Sequence, residues 1–300
     1  MRKLLFIVNP CAGQKKILKS LAEVIGVFNQ AGWEVTVYIT AAAGDGTRIA
    51  QERSEDFDLV VCAGGDGTLN EVMTGVVRRG SGKPIGYIPC GTTNDFAATM
   101  GIPAVPVQAA QYIMEGQPVA HDVGQFGDRY FSYVASFGVF TRSSYSTPQN
   151  VKNALGYLAY WLDGISELAQ IRTIHARFQT EDQVIEDDFL FAAVSNSTSV
   201  GGVLTLDAKR VDLQDGKFEL LLVRRPKDAQ ERREMIRALL DQDYSNSLIT
   251  FCSFSKLTVT SDEEISWSLD GERADSAAGV PMEIENLQRG IQVVLRQEEA

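Results

Sequence analysis

Cysteine, histidine and positive charge are all scarce in this 300-residue chain, and each scarcity removes a class of function. The four cysteines, Cys11, Cys62, Cys90 and Cys252, contain no CxxC pair, and only His121 and His175 stand beside them. No zinc-type cluster can be built from that set, and a reduced, cytosolic protein is expected. Lysine and arginine together number 28 against 39 aspartates and glutamates, a net charge of −11. That balance argues against general nucleic-acid binding, which is driven by cations neutralising phosphates. It argues equally against wholesale adsorption to an anionic membrane, so any lipid contact must come from a local patch. Long apolar runs are also missing. The opening run LLFIV stops at Asn9 and Pro10, too short for a signal peptide or a membrane span, and no later stretch approaches spanning length.

What is present is 44% hydrophobic composition, enough for two ordinary domains that each bury a core. Through the first 120 or so residues, apolar runs at Leu4 to Val8, Val35 to Ile39, Leu59 to Ala63 and Ile85 to Pro89 read as short buried strands. Between them lie helical spacings, for example Leu18, Leu21, Ala22, Ile25 and Phe28. This βαβα texture predicts a doubly wound parallel sheet with helices on both faces. After a helix ending near Glu115-Gly116 the pattern turns to alternation, with Gly127-Asp128 as a hairpin turn. Strand-like runs follow at Ile171 to Phe178, Phe189 to Ser195, Lys217 to Val223, Leu257 to Thr260, Met282 to Glu285 and Ile291 to Leu295. Helical patterns interrupt them at Val151 to Leu168 and Asp228 to Leu240. The expected fold class is α/β plus mainly β, an α/β domain over residues 1–120 and an antiparallel β-sandwich over 121–290. The last ten or so residues are expected to pack back on the first domain.

Three segments at strand-to-helix junctions carry chemistry. AGGDGTLNEV, Ala63 to Val72, places Gly64, Gly65 and Gly67 where backbone N–H groups approach a phosphate, with a helix N-terminus behind them. Asp66 within that loop is placed to engage the magnesium of a nucleotide triphosphate. The plain alternative is a tight turn with Asp66 or Thr68 as an N-cap. PCGTTNDFA, Pro89 to Ala97, ends another strand on the same carboxyl edge and offers Thr92, Thr93, Asn94 and Asp95; alone it reads equally well as an N-cap. NPCAGQKK, Asn9 to Lys16, puts Lys15 and Lys16 in a first helical turn, where a nearby anion would relieve their conflict with the helix dipole. Two solvated lysines are the alternative.

Taken with a late SLDGE, Ser268 to Glu272, the segments GGDGTLNEV and GTTNDFA resemble the diacylglycerol kinase catalytic family, most closely its soluble bacterial lipid kinases. The similarity runs nearly the full length in order and spacing. It implies a kinase with an N-terminal nucleotide-binding domain, a C-terminal lipid-substrate domain and ATP in the cleft between them. It implies nucleotide contacts at Asn9, Pro10 and on to Gly13, at Thr40, at Gly64, Gly65, Asp66, Gly67, Thr68 and Asn70, and at Thr92. It assigns Asp66 and Asp95 to the metal and phosphate network, and Glu272 to the proton of the substrate hydroxyl. Independently of the resemblance, an alcohol attacking a γ-phosphate needs a positioned proton acceptor, although LDGE alone reads as a β-turn around Asp270 and Gly271. The resemblance further implies a structural magnesium at Asp212, Asp215 and the backbone carbonyl of Lys217, against an Asp-Gly hairpin as the alternative.

The expected partner is a lipid met peripherally at the inner membrane face, with diacylglycerol the leading substrate and a homodimer as an expected assembly. Arg224 to Leu240 carries six cations with Met235, Ile236, Leu239 and Leu240, a pattern for a bilayer surface or for a solvated helix with a core-facing stripe. The GGDGT loop also occurs in NAD kinases, a competing enzyme reading, and a non-catalytic nucleotide-binding module is a third. Cys11, Cys62 and Cys90 all fall near the carboxyl ends of predicted strands, so thiol alkylation is expected to inhibit and ATP to protect.

Overall fold

A computed structural model describes residues 1–13, 16–92, 94–138, 172–196, 199–200, 204–205 and 215–296. The chain divides into two compact units, Met1–Asp122 with the C-terminal stretch from Arg289, and Val123–Gln288.

In the first unit the apolar runs become β1 (Arg2–Val8), β2 (Trp33–Ile39), β3 (Leu59–Gly64) and β4 (Ile85–Pro89), but β2, expected to be buried, is a half-exposed edge strand with Ile39 56% exposed. They form a parallel sheet in the order β2-β1-β3-β4. Leu4 to Val8 are fully buried, as central parallel strands covered on both faces must be. The helices are α1 (Lys16–Gln30), α2 (Asp45–Arg53), α3 (Asp66–Arg79), α4 (Asp95–Thr99) and α5 (Pro106–Glu115). α1 packs with α5 and α2 with α3, which accounts for the doubly wound form. The buried face of α1 is Ile17, Val24 and Phe28, with Phe28 edge-on to Phe6 at 5.6 Å. Leu18, read from its spacing as part of that stripe, is instead 45% exposed, because the helix is rotated to set Ile17 and Val24 inward.

The second unit contains β5 (Gln117–Phe126), which enters it from the first, β6 (Arg129–Phe131), β7 (Val134–Gly138), β8 (Ile174–Gln179) and β9 (Val184–Ser195). A two-residue pair follows, β10 (Ser199–Val200) with β11 (Leu204–Thr205), then β12 (Phe218–Arg224) and α6 (Ala229–Leu240). The chain ends with β13 (Ile249–Phe254), β14 (Lys256–Thr260), β15 (Ile265–Leu269), β16 (Glu272–Ser276) and β17 (Met282–Leu295). Among the described residues, the strand pairings within this unit are antiparallel. The first half of β9 pairs with β8, and its second half runs between β7 and β12. Across the core, Trp267 meets Phe126 at 5.2 Å and Phe137 at 4.8 Å, and Phe137 stacks on Phe178 at 6.2 Å.

The expected hairpin at Gly127-Asp128 is present, with Phe126 opposite Arg129. The two terminal strand runs turn out to be one strand: β17 pairs antiparallel with β14 at Met282 to Glu285 and parallel with β4 at Val293. Its bend is at Arg289, where φ is 53° and the N–H donates to buried Asp122 at 2.7 Å. Strands β13, β15 and β16 are not among the expected strands; each is only five or six residues long. The helical pattern at Val151 to Leu168 lies outside the described residues. Among the described residues no helix is long and apolar enough to cross a membrane.

Candidate functional site

In the first unit three glycine-punctuated loops leave the carboxyl ends of β1, β3 and β4 and touch through their backbones. A Cβ on Gly13 would lie 2.3 Å from the Cys90 carbonyl oxygen, and one on Gly91 would lie 2.6 Å from Gly65 Cα. Real Cβ atoms do not approach so closely, so the absence of side chains is what lets the loops converge. The Cys90 N–H donates to the Gly64 carbonyl at 2.7 Å and the Asn9 N–H to the Ala63 carbonyl at 2.9 Å, joining the same loops.

Of the polar residues expected in the site, Asn9 and Thr68 are joined at this junction. Asn9 Nδ2 donates to Thr68 Oγ1 at 3.0 Å, and Asn9 Oδ1 accepts the Cys11 N–H at 3.0 Å. Thr40, nearly buried after β2, donates its N–H to the Val8 carbonyl at 2.9 Å. Asn70 Oδ1 accepts from Thr74 one turn along α3. Pro10 and Gly67 are half-buried, while Thr92 is exposed. Thr93 and Lys15 lie outside the described residues. Gly65 is the N-cap of α3 in an extended conformation, and its carbonyl accepts the Thr68 and Leu69 N–H groups. The positive end of a fourteen-residue helix therefore opens at this loop.

Asp66 does more than occupy the loop. Its Oδ2 accepts the Asp95 N–H at 3.1 Å and its Oδ1 the Phe96 N–H at 3.3 Å, so it caps the start of α4 from another segment. Both acids are thereby brought to one place. Asn94, at φ 53°, holds the turn before them by accepting the Gly91 N–H at 2.8 Å and donating to the Gly91 carbonyl at 3.1 Å. Glu71, part of the GGDGTLNEV run but given no role from sequence, accepts the N–H groups of Gly44 and Gly46 at 2.8 and 2.9 Å. It ties α3 to the loop that follows Thr40. No signal in the sequence distinguishes it from an ordinary surface glutamate on α3.

A glycine cradle that a Cβ would fill, a helix N-terminus and an aspartate carboxylate bonded to the backbone of a second aspartate fit a triphosphate with a hard divalent ion. Among the described residues no group of three or more His, Cys, Asp or Glu could hold a metal by itself. The two acids would therefore share such an ion with phosphate oxygens and water.

In the second unit Glu272 opens β16 directly after a two-residue turn. Asp270 and Gly271 both have positive φ, 49° and 90°, the conformation of a tight hairpin whose twist matches its strands. Asp270 is buried, and its carboxylate accepts from Ser132, Tyr133 and Val134. Burial pushes its carboxyl up, and these hydrogen bonds pull it back. Glu272 itself is 54% exposed, with Arg129 Nη2 3.8 Å from its Oε2.

Asp212 lies outside the described residues. Asp215 and Lys217 are exposed, and Asp215 Oδ1 accepts the Lys217 N–H at 2.9 Å in a turn through Gly216 at φ 80°. Along α6, Met235, Ile236 and Leu239 are buried while Leu240 is exposed, and Asp228 caps the helix by accepting from Gln230 and Glu231. Of the cysteines near the loops, only Cys11 is exposed. Cys62 and Cys90 are buried, and burial pushes the Cys62 thiol far above its usual range, so of the three cysteines expected near the pocket Cys11 is the one open to alkylation.

Residues 3–126 match the family model for the diacylglycerol kinase catalytic domain. A diacylglycerol kinase of Bacillus subtilis (strain 168) is 34% identical over all of this chain and 98% of its own length. One from Staphylococcus haemolyticus (strain JCSC1435) is 31% identical, over 98% of this chain and 88% of its own. Among solved structures, a diacylglycerol kinase from Bacillus anthracis str. Sterne shares the fold at TM-score 0.74 and 24% identity, covering 98% of this chain and 97% of that one. The glycine loops, their order along the chain and full-length identity to these relatives agree: the chain belongs to the diacylglycerol kinase family and is an ATP-dependent kinase.

Proposed function

We propose that this kinase transfers the γ-phosphoryl group of ATP to a lipid hydroxyl, with diacylglycerol as acceptor and phosphatidic acid as product. The observation that carries the reading is the Asp66 carboxylate bonded to the start of α4, which unites two acids with the glycine cradle. The two relatives above are both diacylglycerol kinases, which supports the choice of lipid.

In this reading the loops of Asn9 to Gly13, Gly64 to Asn70 and Thr92 bind the nucleotide phosphates, and Thr40 supports the edge of the site. Asp66 and Asp95 would hold magnesium, which when bound neutralises charge on the transferring phosphoryl group. Glu272 accepts the proton of the lipid hydroxyl as its oxygen bonds to the γ-phosphorus and the bond to the departing ADP oxygen breaks. Asp212, Asp215 and the Lys217 carbonyl would form a separate structural magnesium site. The enzyme would work in the cytoplasm, reaching its lipid at the inner face of the membrane.

The test is a radiolabelled-ATP screen over mixed lipid micelles, with NAD as a parallel acceptor, comparing wild type with Glu272→Ala. Label should enter diacylglycerol and be lost in the variant. Label in NAD and in no lipid would overturn the reading.

A further inference from the structure

The hairpin that presents Glu272 is gripped from two sides by groups that the motifs did not mark as functional. From within, Asp270 Oδ2 accepts the Ser132 N–H at 2.6 Å and the Ser132 hydroxyl at 3.0 Å, and Oδ1 accepts the N–H groups of Tyr133 and Val134 at 3.1 and 3.0 Å. Its own N–H donates to the Val134 carbonyl at 2.9 Å. A turn of this type needs only residues that tolerate positive φ, and asparagine does so as well. Burying a carboxylate costs free energy unless donors surround it, so an aspartate only 4% exposed answers a demand beyond turn geometry. That demand is to lock the hairpin tip onto the segment between β6 and β7.

From outside, Arg129 Nη1 donates to the Arg273 carbonyl at 2.6 Å, which tethers the guanidinium to the residue after Glu272. Its Nη2 then stands 3.8 Å from Glu272 Oε2. The neighbouring charges are otherwise engaged. Arg273 Nε pairs with Asp275 at 3.0 Å, Asp275 also accepts from Ser266 and lies within the field of Arg129, and Glu264 acts on Arg273. Among the described residues, Arg129 is thus the cation set against the Glu272 carboxylate.

We propose that Asp270 and Arg129 are positioning residues for Glu272, the first fixing the backbone from which it projects and the second orienting one carboxylate oxygen so that the other faces the acceptor hydroxyl. The proposal rests on reading Glu272 as the proton acceptor. Neither is assigned a contact with substrate. Both act by holding a base in place, and a misplacement of about 1 Å is enough to cost roughly 100-fold in rate.

The experiment uses full-length Asp270→Asn, Arg129→Gln, Arg129→Lys and Glu272→Ala, with circular dichroism and binding of a fluorescent ATP analogue as checks on folding. Asp270→Asn should lower kcat about 100-fold with KM for ATP unchanged. Arg129→Gln should lower kcat with KM for ATP unchanged, since the carboxylate is no longer oriented from one side. Arg129→Lys, which keeps the cation, should recover part of the lost kcat. Because Arg129 is on the surface, its variants decide the matter even if Asp270→Asn fails to fold. A wild-type kcat in Arg129→Gln, beside an inactive Glu272→Ala, overturns the proposal. Full turnover in Glu272→Ala overturns the base assignment itself, a separate failure.

Discussion

The carboxylate of Asp66 accepts the backbone N–H of Asp95 at 3.1 Å, so two loops 29 residues apart are joined by an acid that is itself a candidate metal ligand. Asp66→Asn keeps one acceptor oxygen but removes the charge. The expected result is a kcat lowered by about 100-fold or more, the usual loss when a charge-stabilising group is removed, with secondary structure retained. Initial rates across a magnesium titration measure it, and wild-type kcat would show that Asp66 serves only as a cap.

Gly13→Ala and Gly26→Ala should behave oppositely. At Gly13 the new methyl meets the Cys90 carbonyl at 2.3 Å with φ at 50°, so the loops must part. Nucleotide affinity is expected to fall about tenfold, equivalent to roughly 1.4 kcal/mol. Gly26, inside α1, has nothing within 4 Å of the added Cβ. There alanine should raise stability by about 0.5–1 kcal/mol through helix propensity. Denaturant titrations and nucleotide binding on both variants check this, and equal behaviour would refute the cradle.

Glu71→Gln replaces one acceptor oxygen by an N–H donor facing the backbone N–H groups of the Gly44 to Gly46 turn. Leaving such a donor without its carboxylate costs about 1–3 kcal/mol, and urea unfolding should register the loss. An unchanged midpoint would mean the turn is held without it.

Alkylation of the native enzyme should modify Cys11, inhibit turnover and be slowed by ATP, while Cys62 and Cys90 stay unlabelled. Peptide mass mapping reads the site. Full activity after complete labelling of Cys11 removes that cysteine from the nucleotide loop.

His175 Nδ1 lies 3.0 Å from Asp188 Oδ1, and that hydrogen bond raises its pKa above the ordinary 6.5. The folded value being the higher one, the pair's stabilisation is complete below the unfolded pKa and is lost as pH rises through the folded pKa. Titration of the imidazole by NMR should show the raised value, and Asp188→Asn should bring it down. No change in that variant would leave the shift without its cause.

Local chemistry made much of this protein legible in advance. Continuous apolar runs predicted the parallel strands, because a strand covered on both faces admits no polar side chain. Glycines clustered at strand-to-helix junctions marked the loops, because backbone approaches that a Cβ forbids leave a compositional trace. Asp270-Gly271 read as a turn from the same logic. The strands β15 and β16 were missed because each is only five residues long, and β17 read as two strands because polar Asn286, Gln288 and Arg289 interrupt its apolar runs.

What the order of residues determined by itself was the class of fold and the segments able to face a phosphate, since both follow from hydrophobic period and the absence of side chains. Tertiary structure alone decided that Asp66 caps α4, that Glu71 holds the turn after Thr40, that Cys62 is sealed, and that Asp270 and Arg129 close on the Glu272 hairpin. Each of these depends on which distant backbone donors a side chain meets, and that is set by packing rather than by any spacing along the chain.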